Sequence, residues 1–122
     1  MDISEIKEIE QEVHILAPRT RVKTGLVFIV NSVQCDAVQE IVRKRNDALL
    51  NRQSVDAEEH SLNILVAAVV GWRWDGDATF EGAKLDYSVE NVRRVLNSKA
   101  GKTFIRSQLS SVIADTDRFF TT

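Results

Sequence analysis

The sequence predicts an α+β domain, mostly helical, with an N-terminal β-hairpin over residues 12–31 followed by about four helices over residues 36–120. Three observations lead there. Residues 26–30, LVFIV, form a β-branched and aromatic run, the strongest strand signal in the chain. Residues 62–70, LNILVAAVV, set Leu62, Leu65, Val66, Val69 and Val70 on one face at helical spacing, while Ile64, Ala67 and Ala68 keep the other faces apolar, as in a buried helix. Helix starts are signalled elsewhere by capping residues, and a length of 122 residues supplies one core and hence a single domain over residues 1–122.

Taken in order, residues 1–11 hold Ile3, Ile6 and Ile9 at three-residue spacing among Glu5, Glu8 and Glu10, which fits a short amphipathic turn or a mobile arm. Residues 12–16, EVHIL, read as extended, and Pro18 ends that segment. In the strand that follows, Leu26, Phe28 and Val30 point to one side and Val27 and Ile29 to the other, so both sides are apolar. One of them is expected to be covered by a partner or by a second copy of the chain. Asp36 with Gln39 reads as a capping box opening a helix over residues 37–50, with Val38, Ile41, Val42 and Leu49 as its apolar stripe. Arg43, Lys44, Arg45 and Arg52 lie on or beside its wetter side, where cations complement the negative end of the helix macrodipole.

Asp56 and Glu59 cap the central helix. Gly71 is expected to end it in the left-handed conformation, with Trp72 dropping onto the turn as a core residue. Residues 73–86 read as irregular, and Asp75-Gly76-Asp77 lacks the alternating oxygen ligands and terminal glutamate of a calcium loop. Ser88 caps a short helix carrying Val92, Val95 and Leu96, with Tyr87 packing back onto it. After a break at residues 97–101, Thr103 starts a last helix with Ile105, Leu109, Val112 and Ile113 on one face and Phe119-Phe120 at its end. The expected core is Leu65, Val66, Val69, Trp72, Val92, Leu96, Ile105, Leu109 and Val112.

Composition narrows the classes of function. Apolar content of 43% and charged content of 28% belong to an ordinary globular domain, and a net charge of −2 gives no global pull toward nucleic acid or an anionic membrane. No aromatic residue interleaves with the basic cluster to stack on bases. Cys35 is the only cysteine, which removes an internal disulfide and a zinc cluster and suits a reducing cytoplasm. Residues 1–10, MDISEIKEIE, lack the features of a signal peptide, and no apolar run is long enough to span a bilayer. His14 and His60 are isolated and no glycine-rich phosphate loop is present, so no catalytic, metal or cofactor-binding residue is expected.

Four pieces of the chain, taken together and in order, resemble the tail assembly chaperones of long-tailed bacteriophages. They are ILAPRTRVKTGLVFIVNS, VQEIVRKRNDALLNR, LVAAVVGWRW, and FEGAKLDYSVENVRRVL leading into FIRSQLSSVI. The residues that carry the likeness are Pro18, Thr24-Gly25, the Arg- and Asn-rich helix over residues 43–51, Gly71-Trp72, Phe80, Tyr87-Ser88-Val89-Glu90-Asn91, and Phe104-Ile105-Arg106-Ser107-Gln108. The basic Arg19-Thr20-Arg21-Val22-Lys23 departs from the shorter, more neutral turn of the family. The resemblance implies a non-enzymatic chaperone without cofactors, working in the cytoplasm of the bacterial host and absent from the mature virion. It would bind the tape measure protein, help recruit tail tube subunits and self-associate. In many such phages a ribosomal frameshift makes a longer form that recruits the tube protein.

On that reading the candidate protein-binding residues are Phe28 on the doubly apolar strand, Trp74 and Phe80 in the loop, and Phe119 and Phe120 near the end. Arg43, Lys44 and Arg45 would steer acidic stretches of a client. The alternatives are a structural head–tail connector or minor tail protein retained in the virion, which would form one defined ring, and a small nucleic-acid-binding regulator using Arg43, Lys44, Arg45 and Arg52.

Overall fold

The run at residues 26–30 becomes the middle of a sheet. In the computed structural model, which describes residues 2–121, β1 (Gln11–Leu16) and β2 (Lys23–Val30) form the expected antiparallel hairpin. A third strand, β3 (Val69–Trp74), pairs with the other edge of β2, so the order is β1-β2-β3. The helices are α1 (Asp36–Leu50), α2 (Ala57–Ala68), α3 (Val89–Asn97) and α4 (Arg106–Ala114). The fold class is α+β, with one strand more than the sequence predicts.

That strand replaces the predicted end of the central helix. The helix stops at Ala68, and Val69 is already extended at φ −79 and ψ 122. Gly71 does not take a positive φ; it pairs with Ile29 inside the sheet. The physical reason is that an apolar run without polar interruptions has no period to separate helix from strand. Val69 and Val70 are β-branched and fit the pleated edge beside β2. The register slips between Ile29 and Val30, where Val70 is the extra residue of a bulge that returns Trp72 and Trp74 to the inner face.

Two of the three predicted caps are present. Asp56 accepts from the N–H of Glu59 (2.9 Å), though the return half of that box is not formed because the Glu59 carboxylate turns to Arg93 (3.4 Å), and Ser88 accepts from the N–H of Asn91 (3.0 Å). The box at Asp36 is not formed, because α1 begins one residue early. Cys35 stands at the cap position without a side-chain bond, and the Gln39 amide donates to the carbonyl of Val33 instead (2.9 Å). The break after α3 narrows to Ser98, and a π-helical turn, Gly101–Ile105, feeds α4. Gly101 is buried against the carbonyls of Val95 and Leu96, where no Cβ would fit.

The core lies between the inner face of the sheet and α2, α3 and α4. Ile15, Phe28 and Val30 meet Leu62, Val92, Leu96 and Leu109, all at most 2% exposed. Of the expected core, Trp72 and Val112 are only half-buried and the other seven are buried. Helix α1 packs chiefly on α2 and buries only Val38. The arm expected over residues 1–11 is tied down along its described part: Ile9 N–H donates to the carbonyl of Phe119 (2.7 Å) and Thr121 N–H to that of Lys7 (2.8 Å). Met1 lies outside the described residues.

Candidate protein-binding surface

Two of the predicted contact residues belong to the core. Phe28 and Phe119 are both 0% exposed. Phe28 lies on the inner side of β2 with its ring edge-on to Trp72, centroids 5.8 Å apart, so it offers nothing to a partner. The Phe-Phe pair divides. A 3-10 turn, Thr116–Phe119, directs Phe119 inward, and Phe120, extended at φ −124, is 45% exposed. Phe120 therefore remains a contact candidate and Phe119 does not.

Trp74 and Phe80 are half-buried and hold their own loop together. The indole N–H groups of Trp72 and Trp74 both donate to the carbonyl of Leu85, at 2.9 and 3.1 Å. Tyr87 donates its hydroxyl hydrogen to the carbonyl of Val69 (2.9 Å), and its ring stands edge-on to Trp72. Phe80 lies beneath the guanidinium of Arg94, 5.5 Å from its ring centre, and Arg94 also pairs with Glu81. The Lys84 ammonium donates to three carbonyls, those of Trp74 (3.0 Å), Gly76 (2.8 Å) and Ala78 (3.0 Å). The loop that invites comparison with a calcium site is thus wrapped around a cation of its own chain. Gly25, at φ +99, lets this loop close, because a Cβ there would meet the carbonyl oxygen of Asp75 at 2.5 Å.

The basic residues of α1 divide as well. Arg43 is engaged by Glu40 (2.5 Å) and more distantly by Asp47 (4.0 Å), and the bond to Glu40 raises the pKa of Arg43 while lowering that of Glu40. Lys44 and Arg45 are exposed and enter no ion pair among the described residues. Beyond them Leu49 is 47% and Leu50 82% exposed, so the end of α1 carries bare leucine surface, with Arg45 one turn before Leu49. Leu50 escapes the sequence reading because it falls outside the helical stripe that contains Leu49. His60 of α2 faces Arg45, and burial first, then that charge, pushes its pKa below the ordinary 6.5.

The outer side of the sheet is covered in part by the chain itself: Val27 is buried, and Ile29, opposite Gly71, stays half-buried. Arg73 of β3 reaches across β2 to Glu12 of β1 (2.5 Å) and also holds Asp75 (3.1 Å). Val27, on the strand between them, is 1% exposed. The Arg73 bond holds the Glu12 carboxyl below the usual carboxylate range. At the free edge of β1, Gln108 of α4 bonds both main-chain groups of Leu16, and a groove of about 520 Å³ lies between strand and helix. Neither Arg73 nor Gln108 is singled out for these roles by any sequence pattern.

Among the described residues no three His, Cys, Asp or Glu side chains gather as a metal site, and no helix is long and apolar enough to cross a membrane. Comparison with protein-family models, with curated proteins and with solved structures finds no match for this chain.

Proposed function

We propose that this protein is a non-enzymatic tail assembly chaperone of a long-tailed bacteriophage, acting in the cytoplasm of its bacterial host. It binds the tape measure protein, helps bring tail tube subunits to it and associates with its own copies. The observation that supports this reading is the end of α1, where Leu50 and Leu49, the latter one turn beyond Arg45, are exposed on a helix that fully buries only Val38. An elongated helical client with acidic and apolar faces suits such a strip: the leucines take its apolar stripe and Arg45 sets its orientation. Phe120 adds a second exposed apolar contact.

Co-expression with the tape measure protein of the same phage tests the reading. The tape measure protein is expected to stay soluble and co-purify with the wild-type chain. Leu49→Gln with Leu50→Gln, which adds no charge to the negative end of the helix, is expected to abolish that recovery while changing folding stability by no more than about 1 kcal/mol. A tape measure protein that precipitates while this chain forms one discrete ring would replace the chaperone with a structural tail component.

A further inference from the structure

The outer edge of β1 has unused hydrogen-bonding capacity. Asp75 N–H donates to the carbonyl of Gly25 (2.7 Å) and Asn31 N–H to that of Ala68 (2.8 Å), so odd-numbered residues of β2 turn their main chain toward β3. Hydrogen bonding alternates along an antiparallel strand, so Phe28 and Val30 turn theirs toward Val13 and Gln11 of β1. Glu12 and His14, opposite Ile29 and Val27, therefore direct their N–H and C=O groups away from the sheet. Among the described residues no turn, loop or side chain bonds to these groups.

Leu16, the next residue in that alternation, shows what the edge accepts. Its N–H donates to Gln108 Oε1 (2.8 Å) and its carbonyl accepts from Gln108 Nε2 (2.9 Å). A primary amide bonded in this way reproduces the peptide group of an added strand. Because Gln108 stands on α4, the helix flanks the open edge. Ser107 and Ser111 keep the helix side of the groove narrow in side-chain bulk, and the half-buried Val112 gives it apolar surface. The space suits one strand.

Charge selects the occupant. Of the charged side chains that line the groove, Glu12 is neutralised by Arg73 (2.5 Å) and Arg118 by Asp115 (2.8 Å), whereas Arg21 is exposed and enters no ion pair among the described residues. We infer that the groove between β1 and α4 binds an extended acidic segment of a partner protein by strand addition. Its main chain pairs with Glu12 and His14 in continuation of the Gln108 bonds, an aliphatic side chain covers Val112, and a carboxylate meets Arg21. This site is separate from the strip on α1, and it does not depend on the partner being a tape measure protein.

Fluorescent peptides of roughly six residues, alternating valine with aspartate or with lysine, test the site on the full chain. The Val/Asp peptide is expected to bind at least about tenfold more tightly than the Val/Lys peptide and to slow amide exchange at Glu12 and His14. Arg21→Glu should reverse the order of the two peptides. Ser111→Trp, bulky and uncharged at an exposed position on the groove, should abolish the slowed exchange with the melting temperature unchanged. Equal binding of the two peptides, or unchanged exchange at Glu12 and His14, would overturn the inference. So would protection of those amides that rises with protein concentration in the absence of peptide, which would assign the edge to a second copy.

Discussion

Lys84 does for its loop what a bound cation would otherwise do, collecting the carbonyls of Trp74, Gly76 and Ala78 around one ammonium. Lys84→Met keeps the aliphatic stem and removes the donors. It is expected to cost about 1–2 kcal/mol, because hydrogen bonds from a charged group outweigh neutral ones even where water competes. Urea unfolding gives the loss, and faster amide exchange over residues 75–78 would locate it. Phe119 and Phe120 make a sharper contrast between neighbours. Phe119→Ala empties a fully buried site and is expected to cost about 3–5 kcal/mol, whereas Phe120→Ala should stay within about 0.5 kcal/mol. Two equal urea midpoints would refute the division. Such pairs are illegible in a sequence, since adjacent aromatics carry the same label until the backbone turns one of them inward.

At the scale of elements, legibility followed the strength of local signals. Helices α2 and α3 announce themselves because Asp56 and Ser88 each close a local hydrogen bond three residues along. Strand β3 does not, since its identity depends on β2 needing a partner on that side. The contact of α1 with α2 is expected to respond to pH through His60. Its folded-state pKa is lowered, so the unfolded chain binds the proton more readily and the neutral ring contributes stability fully only above about 6.5. That contribution should fade as pH falls through the lowered value. Urea midpoints taken between about pH 7.5 and about pH 5 should decline less in His60→Gln than in the parent chain. A decline of equal size in both would assign the effect to other groups.

At the scale of the molecule, the fold class was readable and the surfaces were not. Alternation and capping act over a few residues, which is why the hairpin and four helices follow from the chain alone. The groove beside β1 depends instead on Leu16 and Gln108, 92 residues apart, and on which way the main chain of one strand faces. The cover over Val27 likewise depends on Arg73 spanning two strands to reach Glu12. The α1 strip stands out only when packing is known, because Leu49 shares a stripe with Val38, Ile41 and Val42 and looks like a core residue until Val38 is seen to be the one residue of the helix that is fully buried.

The passage from Ala68 directly into Val69 joins helix to strand with no connecting residues. One added residue within the last turn of α2 would rotate everything before it by about 100° relative to the sheet, and one added within β3 would exchange its inner and outer sides. No loop stands between them to absorb the change. Apart from the bulge residue Val70, this stretch should therefore tolerate substitutions of similar volume but neither insertions nor deletions, so that related chains of different length are expected to differ almost anywhere else. Insertion of a single alanine after Ala67 should leave little folded protein by circular dichroism, while the same insertion after Gln53, in the exposed link between α1 and α2, should be accepted.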